Sequence, residues 1–196
     1  MADSNTDDLN IPLCVDLDGT LINTDMLWES LKDVARKRPW TVLLVPFWFL
    51  RGRAQLKQRI AALACVEVNA LPVHRGFLKF LQQEKLRGRK LILATASDQV
   101  IADKVAARFS LFNEVLASNG QRNLRGHAKV ALLKERFGEK RFDYAGNSHV
   151  DLQVWPATRH AIVVNGSEEL VAQARAVSTV SHIFPEEAGN PCKAPW

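Results

Sequence analysis

Two aspartates, Asp16 and Asp18, stand one residue apart in "PLCVDLDGTLINTD", directly after the apolar run Ile11 to Val15. Carboxylates that close are costly unless something neutralises them. Gly19 follows, and glycine lets a chain turn away sharply where a strand ends. A pair so placed suits phosphoryl transfer. Asp16 would attack phosphorus to give an aspartyl-phosphate. Asp18 would protonate the leaving oxygen and then activate water. A Mg²⁺ ion, which takes oxygen ligands, would offset the crowded charge.

Other residues fit the same task. The apolar run "KLILATAS" reaches Thr95, with Ala96 and Ser97 beside it. The Thr95 hydroxyl and nearby backbone N–H groups would hold a phosphoryl oxygen, which makes Ala96 and Ser97 candidate substrate contacts. Lys129, near the start of "AKVALLKERFG", would neutralise charge on the nucleophile and the phosphate. A third apolar run, "FDYAGNS", ends at Asn147, with Asp151 four residues on. His127 and His149 lie nearby without the His/Cys spacing of a transition-metal site.

The elements that position these residues follow from periodicity. Short β-rich runs (Ile11–Val15, Lys90–Ser97, Phe112–Ser118, "FDYAGNS", "HAIVVNG") alternate with helical stretches, among them Asp98–Ser110, Ala128–Gly138 and "VDLQVWPATR". Such alternation predicts an α/β fold with a parallel sheet flanked by helices. Ligands of open parallel sheets bind beyond the carboxyl ends of the strands, where these polar groups fall. Residues 26–86 are too many for one crossover helix and read as several: "MLWESLKDVARKR", "TVLLVPFWFLRG", "RAQLKQRIAALA" and "VHRGFLKFLQQEKL". Pro46 should break or kink the second of these.

At this point the sequence resembles the haloacid dehalogenase superfamily of phosphohydrolases, over Pro12 to about Pro185. The four motifs run in order: "DLDGT", Thr95 in "LILATAS", Lys129 in "GHAKVALL", and "GNSHVD". The resemblance implies a Rossmann-like core with an inserted helical C1 cap. The implied boundaries are 8–25 and 87–185 for the core, 26–86 for the cap, and 186–196 for a loose tail. It implies a Mg²⁺ site at Asp16, Asp18, Asn147 and Asp151, with Asp151 a more remote or water-mediated contact. The family usually has an aspartate where Asn147 stands, so the site loses one formal negative charge and metal affinity should fall. The phosphoserine-phosphatase-like branch is the closer likeness. In that branch an acidic residue at the cap entry and an arginine on a cap helix touch substrate, which implies Asp25 and Arg59 here. Asp25 could equally cap the helix starting near Met26. The wording is also similar to the phosphatase-like half of proteins fused to membrane polyprenyltransferases of the UbiA family, of which this chain would be a stand-alone version.

The expected function is Mg²⁺-dependent hydrolysis of a small or lipid-linked phosphomonoester. A phosphomutase uses the same carboxylates. A non-catalytic partner of a membrane prenyltransferase-type enzyme is the alternative that Asn147 favours.

Composition narrows the partners. The formal charge of +5 resides in one segment: residues 26–90 carry 14 Lys/Arg against 4 Asp/Glu. Residues 1–25 carry 6 Asp and no Lys/Arg. A basic segment suggests an anionic substrate or surface facing it. Nucleic acid is not expected, because the aromatic residues there fall in apolar runs rather than in exposed stacking positions. The run Pro39–Leu50, flanked by basic residues, is too short to span a bilayer but suits peripheral contact with anionic lipid or with a membrane enzyme. Packing inside the cap is the alternative. Cys14, Cys65 and Cys192 are scattered, and the acidic N-terminus lacks a secretory pattern, so a reduced, cytoplasmic setting is expected, peripheral at the membrane if that run makes contact.

Overall fold

The computed structural model describes residues 9–50, 52–64, 67–119 and 121–187. Six strands form one sheet in the order β3-β2-β1-β4-β5-β6, and every neighbouring pair is parallel. They are β1 (Leu13–Val15), β2 (Leu91–Asp98), β3 (Glu114–Ser118), β4 (Asp143–Gly146), β5 (His160–Val164) and β6 (Thr179–Phe184). The short β1 lies between β2 and β4, with Val15 opposite Leu93 on one side and Ala145 on the other. Parallel strands buried on both faces need apolar side chains pointing both ways. β1 supplies them: Leu13 and Val15 join one core cluster, and Cys14 joins the other.

Helices cover both faces. On the Leu13/Val15 face pack α4 (Arg75–Leu86), through Phe77 and Leu81, and α5 (Gln99–Phe109), through Ile101, Ala102 and Val105. On the opposite face pack α6 (His127–Phe137), through Leu133, and α7 (Glu168–Val177), through Leu170 and Ala174. Complete burial pushes the Cys14 thiol far up and keeps it from reacting as thiolate. At the amino end of the sheet, Asp143 accepts from Arg89 and, at 2.7 Å, from Arg159, while Glu84 takes Arg89 at 2.9 Å. This buried ionic knot sits at the end away from the polar strand ends.

Residues 26–86 add α1 (Met26–Lys37), a 3₁₀ turn (Pro39–Leu44), α2 (Val45–Leu50), α3 (Arg53–Leu63), a short 3₁₀ turn (Val68–Ala70) and α4. α1 begins where Asp25 accepts from the Trp28 N–H at 3.0 Å, and it buries Met26, Ser30 and Val34 along one stripe. Val34, Leu56, Ile60 and Ala64 form a small core of their own, with Leu27, Leu31, Val45 and Trp48 against it. The helix expected over "TVLLVPFWFLRG" is broken near Pro46 rather than kinked, dividing into the 3₁₀ turn Pro39–Leu44 and α2. Pro46 falls at the second residue of α2, where a missing N–H costs nothing.

Two expectations change. The stretch Val150–Arg159 is not one helix but two 3₁₀ turns, His149–Gln153 and Trp155–Ala157. Ser148 and Asp151 cap each other's backbone at the first turn, and Pro156 withholds the N–H a longer helix would need. The sheet also continues past "HAIVVNG" through α7 to β6. β6 is an edge strand with largely exposed residues, so its sequence lacks the alternation of a half-buried strand.

Candidate active site

The carboxyl ends of β1, β2 and β4 converge on a cleft of ≈ 150 Å³, walled by Asp16, Asp18, Asp25, Lys57, Arg125, Lys129, Asn147 and Asp151 among others. The Asp16 N–H donates to Ala145 O at 3.0 Å, which ties the two central strands together where they open into the cleft. Gly19 turns the chain with φ +74°, and a Cβ there would lie 2.1 Å from Asn147 Nδ2. Any side chain at 19 would therefore push Asn147 out of the site.

Asp16 lies at the floor, its side chain 15% exposed. Its Oδ1 accepts from the Leu17 N–H at 2.9 Å and faces Lys129 Nζ at 3.1 Å. Burial pushes the carboxyl above its usual range, and the Asp151 charge adds to this; Lys129 works against both. Lys129 is itself buried, and it donates at 2.7 Å to the Tyr144 hydroxyl, which donates to Asp151 Oδ1 at 3.0 Å. A buried cation is stable only with acceptors around it. Asp16 and Tyr144 supply them, and the chain Asp16–Lys129–Tyr144–Asp151 fixes the ammonium beside the Asp16 carboxylate.

Asp18 is oriented differently. Its Oδ1 accepts from the Met26 N–H at 2.7 Å and its Oδ2 from the Ser97 hydroxyl at 2.6 Å. Burial first, then the Asp25 and Asp16 charges, push its carboxyl up to about 7. A carboxyl near neutrality can both give and take a proton, as an acid/base group must.

Asp151 Oδ2 accepts from the Asn147 and Ser148 N–H groups at 3.0 and 2.9 Å and from the Ser148 hydroxyl at 3.1 Å. Its two oxygens are thus committed to protein donors, so it shapes the turn rather than offering a free ligand. Among the described residues no group of three or more His, Cys, Asp or Glu could hold a metal. The oxygen-bearing side chains that line the cleft are those of Asp16, Asp18, Asp25, Asp151, Ser148, Thr24 and Asn147, whose Oδ1 takes the Thr20 hydroxyl at 3.2 Å. This oxygen-only set fits a hard ion such as Mg²⁺, which is commonly bound by one or two carboxylates plus water and substrate phosphate.

Several expected residues stand elsewhere. Thr95 is fully buried, outside the walls of the cleft; its hydroxyl oxygen accepts the Ser97 N–H at 3.0 Å. That bond consumes one N–H expected to serve phosphate. Ala96 forms the wall at this strand end, and the Ser97 hydroxyl serves Asp18. Asp25 both caps α1 and lines the cleft. Arg59 is exposed on α3 and lines no part of the cleft. Lys57 takes that place: its Nζ donates to Ala96 O at 2.7 Å, and burial lowers its pKa. Residues two apart on a helix do not share a face, which separates Lys57 from Arg59. Lys57, Arg125 and Tyr144 escaped the sequence reading. Only the basic excess of residues 26–90 hinted at Lys57.

The fold and the family are shared with known proteins. The chain is 35% identical over 187 residues to an uncharacterized protein, y4nM, of Sinorhizobium fredii, covering 95% of this chain and 36% of that protein. The chain therefore spans about a third of its relative's length. A crystal structure of phosphoserine phosphatase in apo form has a TM-score of 0.62 at 13% identity, over 90% of this chain and 94% of that one. A phospho-aspartyl intermediate analogue of phosphoserine phosphatase has a TM-score of 0.61 at 12% identity, over 91% and 94%. At such identities the likeness is one of fold. The family match spans residues 13–155, from β1 through Trp155, and with it the chain belongs to the haloacid dehalogenase-like hydrolases.

Proposed function

We propose that the protein is a Mg²⁺-dependent phosphatase acting on a phosphomonoester through an aspartyl-phosphate on Asp16. The carrying observation is the division of labour between the carboxylates. Asp16 is held against a buried ammonium at 3.1 Å, whereas Asp18 is held by the Ser97 hydroxyl at 2.6 Å and the Met26 N–H at 2.7 Å. The fold likeness to a protein described as a phospho-aspartyl intermediate analogue supports the same reading.

In the first step an Asp16 carboxylate oxygen bonds to phosphorus. The ester P–O bond breaks, and the Asp18 carboxyl proton passes to the departing alkoxide, releasing an alcohol. In the second, a water oxygen bonds to phosphorus, its proton returns to Asp18, and the P–O bond to Asp16 breaks to give phosphate. Lys129 neutralises charge on Asp16 and on the phosphoryl oxygens. When bound, Mg²⁺ at Asp16 and Asn147 supplies charge neutralisation for the phosphoryl group. Ser97 and the Met26 N–H hold Asp18 in place across both steps. A binding-only role has Asn147 in its favour, whereas the Lys129–Tyr144–Asp151 chain that holds an ammonium against Asp16 supports the catalytic reading.

The test is a phosphate-release screen over phosphomonoesters with and without Mg²⁺, run on wild type and Asp16→Asn. We expect turnover in wild type and a loss of about 10³-fold or more in the nearly isosteric variant. Turnover unchanged in Asp16→Asn would end this reading.

A further inference from the structure

The cleft at Asp16 does not end at Asp18. Beyond Asp18 a second chamber of ≈ 300 Å³ opens under the inserted helices. The two share Asp18, Asp25, Lys57 and Arg125 as a common boundary. Their chemistry differs. The inner one holds the acidic and basic groups that suit a phosphoryl group, whereas beyond the shared boundary the outer one is walled by Leu27, Trp28, Leu31, Phe49 and Leu56, with Ser97 and Asn123 as its polar residues.

We propose, building on the phosphatase reading, that the substrate is an amphipathic phosphomonoester whose leaving alcohol is apolar and lies in this outer chamber. Asp18 sits on the boundary, and as the acid it must touch the leaving oxygen. The rest of the leaving group therefore extends from Asp18 away from Asp16, which is into the chamber. Lys57 and Arg125 at the boundary hold the phosphate end. A short polar alcohol would leave five large apolar side chains in contact with water. An alkyl, isoprenoid-like or aromatic group would cover them. Trp28 and Phe49, 42% and 53% exposed, leave the outer end of the chamber open to a chain longer than the chamber.

The test is a series of n-alkyl phosphates from methyl to octyl, kept below micelle-forming concentration, with glycerol phosphate as the polar counterpart. We expect kcat/KM to rise by about fourfold per methylene until the chamber fills. Leu31→Asn should flatten that slope. Phe49→Ser, at a position 53% exposed, should also flatten it. A chain-length-independent rate, or a preference for glycerol phosphate, would overturn the proposal. If no ester is turned over at any Mg²⁺ concentration, the phosphatase reading fails and the chamber is judged by calorimetry. Octyl phosphonate binding tighter than methyl phosphonate would support it; equal binding, or none by either, would overturn it.

A separate observation concerns the outer surface. In the run Pro39–Leu50, α2 buries none of its residues, and Trp40, Leu43, Phe47 and Leu50 are 82%, 72%, 52% and 83% exposed. Trp48 instead packs on the small core of the insert. Arg36 and Arg38 stand exposed just before the run. Arg51 lies outside the described residues. No described helix is long and apolar enough to cross a membrane. Apolar and aromatic side chains edged by cations match the boundary between headgroups and acyl chains. The geometry points to an anionic lipid surface as the occupant of this face.

Co-sedimentation with vesicles of phosphatidylcholine and phosphatidylglycerol, against phosphatidylcholine alone, tests it. We expect binding to the anionic vesicles that weakens with salt, and a loss of about tenfold or more for Trp40→Ser with Leu43→Ser. No binding of wild type at low salt would overturn the assignment. So would a concentration-dependent dimer abolished by the same substitutions, since a second copy would then cover the face.

Discussion

Lys57 Nζ donates to the Ala96 carbonyl at 2.7 Å, joining α3 of the inserted segment to the carboxyl end of β2. One bond thus fixes the insert over the cleft and brings a cation to its wall. Lys57→Met should lower kcat/KM by about 10- to 100-fold, the value of a hydrogen bond to a charged group. Arg59→Ala, on the exposed side of the same helix, should stay within about twofold of wild type. Steady-state kinetics on any ester found in the screen decides between the two positions.

Tyr144 lies behind the cleft wall, hydrogen-bonded to the wall residues Lys129 and Asp151 without lining the cleft itself. It is a positioning residue. Tyr144→Phe removes an acceptor from a buried ammonium and should reduce kcat by roughly 10- to 100-fold with KM changed much less. A drop in melting temperature with kcat intact would assign Tyr144 to stability alone.

Asn147→Asp should restore a negative charge beside Asp16. The Mg²⁺ concentration for half-maximal activity should fall by roughly tenfold. The same variant should melt lower without metal, because a third carboxylate joins Asp16 and Asp151. Added Mg²⁺ should raise its melting temperature more than that of wild type. Equal Mg²⁺ responses by calorimetry would place Asn147 away from the ion.

Asp143 supplies the pH dependence of stability. Burial alone would raise its pKa; the Arg159 and Arg89 guanidiniums overcome that and hold it below the usual carboxylate value. A depressed folded pKa stabilises the protein above the unfolded value of about 3.9, and that stability fades as pH falls through the folded value. Asp143→Asn should cost about 3–5 kcal/mol at pH 7, since Arg89 and Arg159 lose a buried partner. The gap between variant and wild type should narrow below about pH 4, as followed by urea denaturation across pH.

The sequence made legible what local pattern encodes. Asp16, Asp18 and Lys129 follow or precede apolar runs, so their convergence at one sheet edge follows from strand alternation. Lys57 and Arg125 carry no such mark. One is placed by how α3 packs over β2, the other by a loop after β3. Arg59 looked equivalent to Lys57 in one dimension, but about 200° of helix rotation separates two such residues. Thr95 shares a strand end with Ala96, and strand alternation turns it into the sheet. The helix expected at Val150–Arg159 failed on Pro156 and on the Ser148–Asp151 capping pair, both local signals that outweigh apolar spacing. β6 went unseen because an edge strand facing water carries little period-two pattern.

The place of β1 in the sheet has a consequence for how activity is acquired. Residues 13–15 pair with 91–93 on one side and 143–145 on the other. Neither partner is a local one, and closing such loops is entropically slow. During synthesis, which runs from the N-terminus, β1 is made before both of its partner strands, β2 following first and β4 well after it. Asp16 can meet Lys129 only after α6 docks, and Asn147 and Asp151 follow later still. Assembly of the site is therefore timed by the arrival of β4: until residues 143–151 are made, Asp16 stands without Asn147 and Asp151.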